Sequence, residues 1–234
     1  MKVLVTGCGR GGTNLGIEVI RTLGIPCTRD VEDRQFFNHK QLPIHYATKL
    51  ATENNGFTAA ALKAQMDHFS DLKILFMLRH PFDNVMSKIL RGQPKSAGGD
   101  NDTDDVMPDG KFLGAAEALL HMHQILDELL ADKKYSSRIL VVKMEDLCTN
   151  ILETVTCIAN FVGTSPTPES LQFYKYNRNR HHQKRYQNNL APQVDLFMNL
   201  EENFDGFFVD KGDIVSKIRE TFSDIATTHG YGVE

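Results

Sequence analysis

The sequence predicts an α/β protein, a mainly parallel sheet with helices on both faces. Three observations carry this. Lys2–Thr6 (KVLVT), Leu72–Leu78 (LKILFML) and Arg138–Lys143 (RILVVK) are short runs rich in apolar and β-branched residues, the pattern of strands covered on both faces. Segments with helical spacing lie between them, and strands alternating with helices favour parallel pairing. Two motifs that could bind an anion, GCGRGGT and RHPFDNVMS, directly follow two of the strands. Ligands of open parallel sheets sit at such carboxyl ends.

The elements follow in order. After the first strand, Asn14–Leu23 carries Leu15, Ile17, Val19, Ile20 and Leu23, a helix stopped by Gly24. A short second strand is expected near Ile25–Thr28. Asp30–Asn55 is polar and mixed, with no clean period, and Thr58–Phe69 reads as a helix. Leu72–Leu78 is the strongest strand signal, and Pro81 suits the first position of the helix after it. Gln93–Gly110 is acidic and rich in Gly and Pro, so a flexible loop is expected there. Its Asp100, Asp102 and Asp104 alternate as in a calcium loop, but Asp105 takes the glycine position and no glutamate closes the motif. Gly114–Lys134 predicts a long amphipathic helix through Leu119, Met122, Leu126 and Leu129. Asn150–Val162 predicts a helix after the third strong strand, Ser165–Pro168 a break, and about Asp213–His229 a last helix.

A length of 234 residues with 41% apolar content supports one domain over residues 1–234. The net charge of −4 gives no reason to expect a nucleic-acid surface. Cys8, Cys27, Cys148 and Cys157 form no C-x-x-C pair, so reduced thiols and a cytoplasmic location are expected. No stretch approaches the ~20 apolar residues of a membrane span, and KVLVTG reads as a strand rather than a leader. His121 and His123 are two apart on a helix and cannot share a metal.

GCGRGGT fits two templates. Gly7, Gly9 and Gly12 satisfy G-x-G-x-x-G; Gly7 and Gly12 have P-loop spacing, with Thr13 in the lysine position. A glycine loop opening a helix offers unpaired N–H groups and the positive end of the helix dipole. Thr13 adds a hydroxyl, and Arg10 a forked, permanent cation suited to a tetrahedral oxyanion. The alternative is that Arg10 is a solvated loop residue. In RHPFDNVMS, Arg79 and Ser87 can clasp a second phosphate, or Arg79 can pair locally with Asp83. Three functions are thereby open: a dinucleotide-dependent oxidoreductase or epimerase, a P-loop nucleotide kinase, and a binding protein without catalysis. The first lacks a good second strand ending in an acid, the second lacks Gly-Lys-Ser/Thr.

With these residues in view, the chain resembles the sulfotransferase family. VTGCGRGGTN is similar to its 5′-phosphosulfate loop, through Arg10, Gly11, Gly12, Thr13 and Asn14. RHPFDNVMS resembles its 3′-phosphate motif R-[N/D/H]-P-x-D-x-x-x-S, through Arg79, Pro81, Asp83 and Ser87. RILVVKMEDLCTNILETVTCIANFVG resembles its later strand, E-D-L turn (Glu145, Asp146, Leu147) and helix. The resemblance implies a P-loop NTPase-like three-layer sandwich. It implies 3′-phosphoadenosine 5′-phosphosulfate (PAPS) as donor, adenosine 3′,5′-bisphosphate (PAP) as product, and an acceptor hydroxyl or amine, on a carbohydrate or a small alcohol among others. Arg10 would then stabilise the transferring sulfate and the leaving phosphate, with no metal needed, since a sulfuryl group carries less charge than a γ-phosphate. Two positions depart from the family pattern: Gly11 stands where serine is usual, and Asn14 where threonine or serine is common. The family's acceptor base falls to Asp30, about twenty residues beyond Arg10, with Glu32 and His45 as alternatives. A basic segment over residues 177–189, with Arg178 and Arg180 among its cations, either folds over the nucleotide or is solvated.

Overall fold

The computed structural model describes residues 1–27, 46–51, 57–90, 108–176 and 212–231. Among the described residues four strands, β1 (Lys2–Gly7), β2 (Tyr46–Ala51), β3 (Leu72–Leu78) and β4 (Ile139–Lys143), form one sheet in the order β2-β1-β3-β4. Every pairing is parallel, with Val5 opposite both Lys49 and Leu75, and Phe76 opposite Val141.

The period of two sorts strand side chains to the two faces. Leu4, Ile74, Phe76 and Leu78 face one core with Leu62, Met66, Val85, Leu119, Leu126 and Phe222. Val3, Val5, Leu75, Met77 and Val142 face the other with Ile17, Ile20, Leu147, Val155 and Ile158. Helices α2 (Ala59–His68), α3 (Pro81–Leu90), α4 (Pro108–Leu130) and α5 (Lys133–Ser136) therefore cover the first face. On the second lie α1 (Thr13–Thr22), α6 (Met144–Thr149) and α7 (Ile151–Phe161). The last helix, α8 (Gly212–Thr228), joins the first face through Phe222. This is the three-layer arrangement the sequence predicts. Among the described residues no helix is long and apolar enough to cross a membrane.

The structure corrects several boundaries. Ile25–Cys27 makes an isolated bridge, Cys27 to Ala47, instead of a strand. The neighbour of β1 is Tyr46–Ala51, inside the stretch with no readable period. Pro26 has no N–H to give a ladder, though its carbonyl accepts from the Ala47 amide at 2.9 Å. The acidic loop expected over 93–110 stops short, because Pro108–Gly110 already belongs to α4. That helix ends at Leu130 rather than Lys134, and Asp132 caps the separate turn α5 by accepting from the Lys134 amide at 3.1 Å. Glu145–Leu147 lies in helix α6, not a bare turn, and Ser170–Tyr176 adds a 3₁₀ segment with no signal in the sequence. The remainder of the acidic loop and the basic segment 177–189 lie outside the described residues.

Candidate functional site

The glycine loop is shaped by backbone requirements. The Gly11 amide donates to the Cys8 carbonyl at 2.8 Å, closing a turn whose third residue, Arg10, sits at φ 68°. A left-handed arginine carries a backbone cost of about 1–2 kcal/mol, the kind of strain that collects at working sites. Gly12, at φ 91°, is the N-cap of α1 and carries no side chain to cap it. The first turn of α1 opens directly from this loop, and the first N–H groups of a helix have no intrahelical partner of their own. A Cβ on Gly12 would come within 3.0 Å of Met144, so the loop backs onto the start of α6. A Cβ on Gly11 would lie 2.7 Å from the Cys8 carbonyl oxygen. The serine usual at this position has no room here unless the turn opens. Thr13 is buried, and Asn14 follows it on α1.

The end of β3 is locked onto this loop. Arg79 is only 3% exposed, and its guanidinium donates to the Arg10 carbonyl at 3.3 Å. Asn84 is 1% exposed, and its amide donates to the Gly9 carbonyl at 3.2 Å. The two strand-end motifs thus share one crevice, as their positions after parallel strands require. Ser87 lies on α3, eight residues after Arg79. Arg79 also lies close enough to Asp83 to favour its charged form. Arg79 therefore lies beside Asp83, as the local reading expects, while its bond to the Arg10 carbonyl braces the glycine loop.

The end of β4 supplies a third element. One oxygen of Glu145 accepts from the His80 amide at 2.8 Å, and the other from the Tyr231 hydroxyl at 3.3 Å. Sequence reasoning names Glu145 without a role and misses Asn84 and Tyr231 altogether. An asparagine one residue beyond Asp83, on the first turn of a motif helix, was the one signal available. Asp30, Glu32 and His45, the three candidate bases, lie outside the described residues, as do Arg178 and Arg180.

Electrostatics follow from burial. Desolvation pushes the Asp83 carboxyl up to about 7; the Glu145 charge adds to this and Arg79 opposes it. Burial, with Glu145 beside it, pushes the Cys148 thiol up to about 11, so it is no nucleophile near neutrality. His121 and His123 point apart, the first to the Phe57 carbonyl and the second to the His229 ring.

The Asp83 shift has a signed consequence. The folded value, about 7, lies above the reference value of 3.8, so native protein holds a proton that unfolded chain has lost. This group's favourable contribution is complete below the unfolded value and disappears as pH rises through 7. At about 1.4 kcal/mol per unit, the penalty above pH 7 is on the order of 4 kcal/mol. Asp83→Asn, which mimics the protonated form, is expected to gain stability over wild type near pH 8 and none near pH 4, read by urea unfolding at both values.

Known structures share this architecture. The sulfotransferase domain from the curacin biosynthetic pathway superposes with TM-score 0.61 at 13% identity, covering 99% of this chain and 98% of that one. The sulfotransferase domain of the Synechococcus PCC 7002 olefin synthase gives 0.59 at 12%, covering 85% and 87%. Mouse sulfotransferase SULT7A1, solved in complex with PAP, gives 0.56 at 15%, covering 94% and 88%. At such identities the likeness speaks for the fold, which is P-loop NTPase-like. No curated protein matches the chain by sequence. The family model for the sulfotransferase domain matches residues 1–223 and so takes in all three strand ends of the crevice. The chain therefore belongs to the sulfotransferase domain family.

Proposed function

We propose that the protein transfers a sulfuryl group from PAPS to a hydroxyl or amine of a carbohydrate or small-alcohol acceptor. The observation that carries this reading is the joining of two anion-suited strand ends, Arg79 to the Arg10 carbonyl and Asn84 to the Gly9 carbonyl. A donor with phosphates at both the 5′ and 3′ positions of its ribose needs two such sites at a fixed separation. In this reading the amides at the start of α1, with Gly11, Gly12, Thr13 and Asn14, cradle the 5′-phosphosulfate. Arg79 and Ser87 take the 3′-phosphate. Sulfuryl transfer asks mainly for positioning and for positive charge where the leaving phosphate gains charge. Arg10 supplies that charge, and Asp30, or else Glu32 or His45, takes the acceptor's proton. Arg178 and Arg180 fold over the nucleotide from the basic segment.

Thermal unfolding tests the donor. PAP at a hundredfold excess over its dissociation constant is expected to stabilise the protein by about 2.7 kcal/mol, seen as a raised melting temperature, and NAD(P) is expected to leave it unchanged. The reverse pattern would sink the reading in favour of a dinucleotide enzyme.

A further inference from the structure

Tyr231 stands apart from every motif in the sequence, yet its side chain reaches the crevice. Three side-chain contacts place it, and two more hold the residues before it. Its hydroxyl donates to Glu145 at 3.3 Å, and its ring lies edge-on to His80 with centroids 5.1 Å apart. The Lys143 ammonium sits 4.4 Å from the ring centroid and donates to the Gly230 carbonyl at 3.1 Å. Upstream, His229 at the end of α8 shares a 2.8 Å hydrogen bond with His123 of α4. Gly230 turns the chain at φ 66°, a conformation that costs a glycine nothing. The segment leading into the tyrosine, His229 and Gly230, is therefore fastened as well as its side chain.

The other oxygen of Glu145 explains what is fastened. His80 is the N-cap of α3, because its carbonyl accepts the first helical bond, from the Asn84 amide at 2.9 Å. In a capping box the acid three residues into the helix accepts from the N-cap amide. Asp83 stands at that position, but the His80 amide goes to Glu145, 65 residues along the chain, at 2.8 Å. An acid at a helix N-terminus is favoured by the helix dipole, and here it comes from another strand end. The contacts form an unbroken series: Tyr231 to Glu145, Glu145 to the His80 amide, and the adjoining Arg79 to the Arg10 carbonyl.

We propose that Glu145 and Tyr231 are positioning residues for the donor site, holding the Arg79–His80 corner where Arg79 braces the Arg10 loop. The proposal rests on the PAPS reading above. Neither residue touches the donor; each acts through the main chain of the 3′-phosphate motif. The hydroxyl contact is long for an O–H···O bond, so Tyr231 contributes less than Glu145.

Three variants and two readouts test this. Tyr231→Phe keeps the ring against His80 and Lys143 and removes the hydroxyl. Glu145→Gln keeps an acceptor for the His80 amide, and Glu145→Ala removes it. PAP dissociation constants are measured by calorimetry well below each variant's melting temperature. Hydrogen exchange of the His80 amide is followed in the nucleotide-free protein. The expected weakening is about threefold for Tyr231→Phe and tenfold or more for Glu145→Ala, with Glu145→Gln between them, converting at ~1.4 kcal/mol per tenfold. His80 exchange is expected to speed up in the same order. Should Glu145→Ala fail to fold, the other two variants carry the test. Unchanged affinity and unchanged His80 exchange in folded Tyr231→Phe and Glu145→Gln, with only a lower melting temperature, would overturn the proposal and leave a plain structural anchor. Wild type that binds no PAP would instead overturn the donor reading, and the exchange arm would still decide whether the corner is held.

Discussion

Arg10→Ala is expected to lower the rate of sulfuryl transfer by about a hundredfold to a thousandfold, the cost of removing one preorganised donor from a developing oxyanion, and to leave the protein folded. The second half follows from the backbone. Arg10 already sits at φ 68°, so alanine bears the same left-handed cost that arginine bears, and no new strain appears. Two hydrogen bonds that fix the loop at this point are accepted by the Arg10 and Gly9 carbonyls, which alanine keeps. The measurement is PAP release from PAPS, with a panel of sugars and alcohols as acceptors, alongside circular dichroism melting. A variant that is fully active would remove Arg10 from the chemistry. One that unfolds would show that its side chain holds the loop.

Gly7→Ala is expected to have the largest effect on stability. Gly7 ends β1 at φ 141°, in register with Met77 of β3. A Cβ there would lie 2.2 Å from the Met77 carbonyl oxygen and 3.1 Å from its carbonyl carbon. These are main-chain atoms at the centre of a parallel sheet, so they cannot swing aside as a side-chain tip could. Either the strands part or the glycine loop shifts, and a loss of about 3–5 kcal/mol is expected. Gly24 is the control. It also has a positive φ, 85°, but nothing lies within 4 Å of its Cβ position. Gly24→Ala should cost only the left-handed term, about 1–2 kcal/mol. Urea midpoints of the two variants separate clash from strain; equal losses would mean that the β1–β3 contact yields.

The elements that could be read from the sequence are those whose burial is written in their own residues. Leu72–Leu78 is apolar at every position but Lys73 because both faces are covered, and the strand has those limits. Thr58 stands before α2 and caps it, accepting from the Ala61 amide at 3.1 Å. Strand β2 is the opposite case. Tyr46–Ala51 contains Thr48 and Lys49, and its place comes from pairing with β1, residue for residue, together with the Thr6 hydroxyl bonded to the Leu50 carbonyl at 2.6 Å. None of that is local. Ile25–Thr28 is apolar and β-branched enough to suggest a strand, yet the ladder partner of β1 is supplied some twenty residues later.

The crevice divides the same way. By itself the sequence determined the α/β class, the two strand-end motifs and the residues suited to an anion, Arg10, Gly12, Thr13 and Arg79. Glycine spacing, strand hydrophobicity and helix starts are short-range facts, readable within a few residues. Only the tertiary structure decided that Gly11 has no space for a side chain, that Arg79 and Asn84 hold the glycine loop, and that Glu145 takes the amide Asp83 was placed to receive. It alone brought in Tyr231, 86 residues beyond Glu145. Such partners meet because parallel strands deliver their carboxyl ends to one edge of the sheet, and no spacing along the chain records which ends are neighbours.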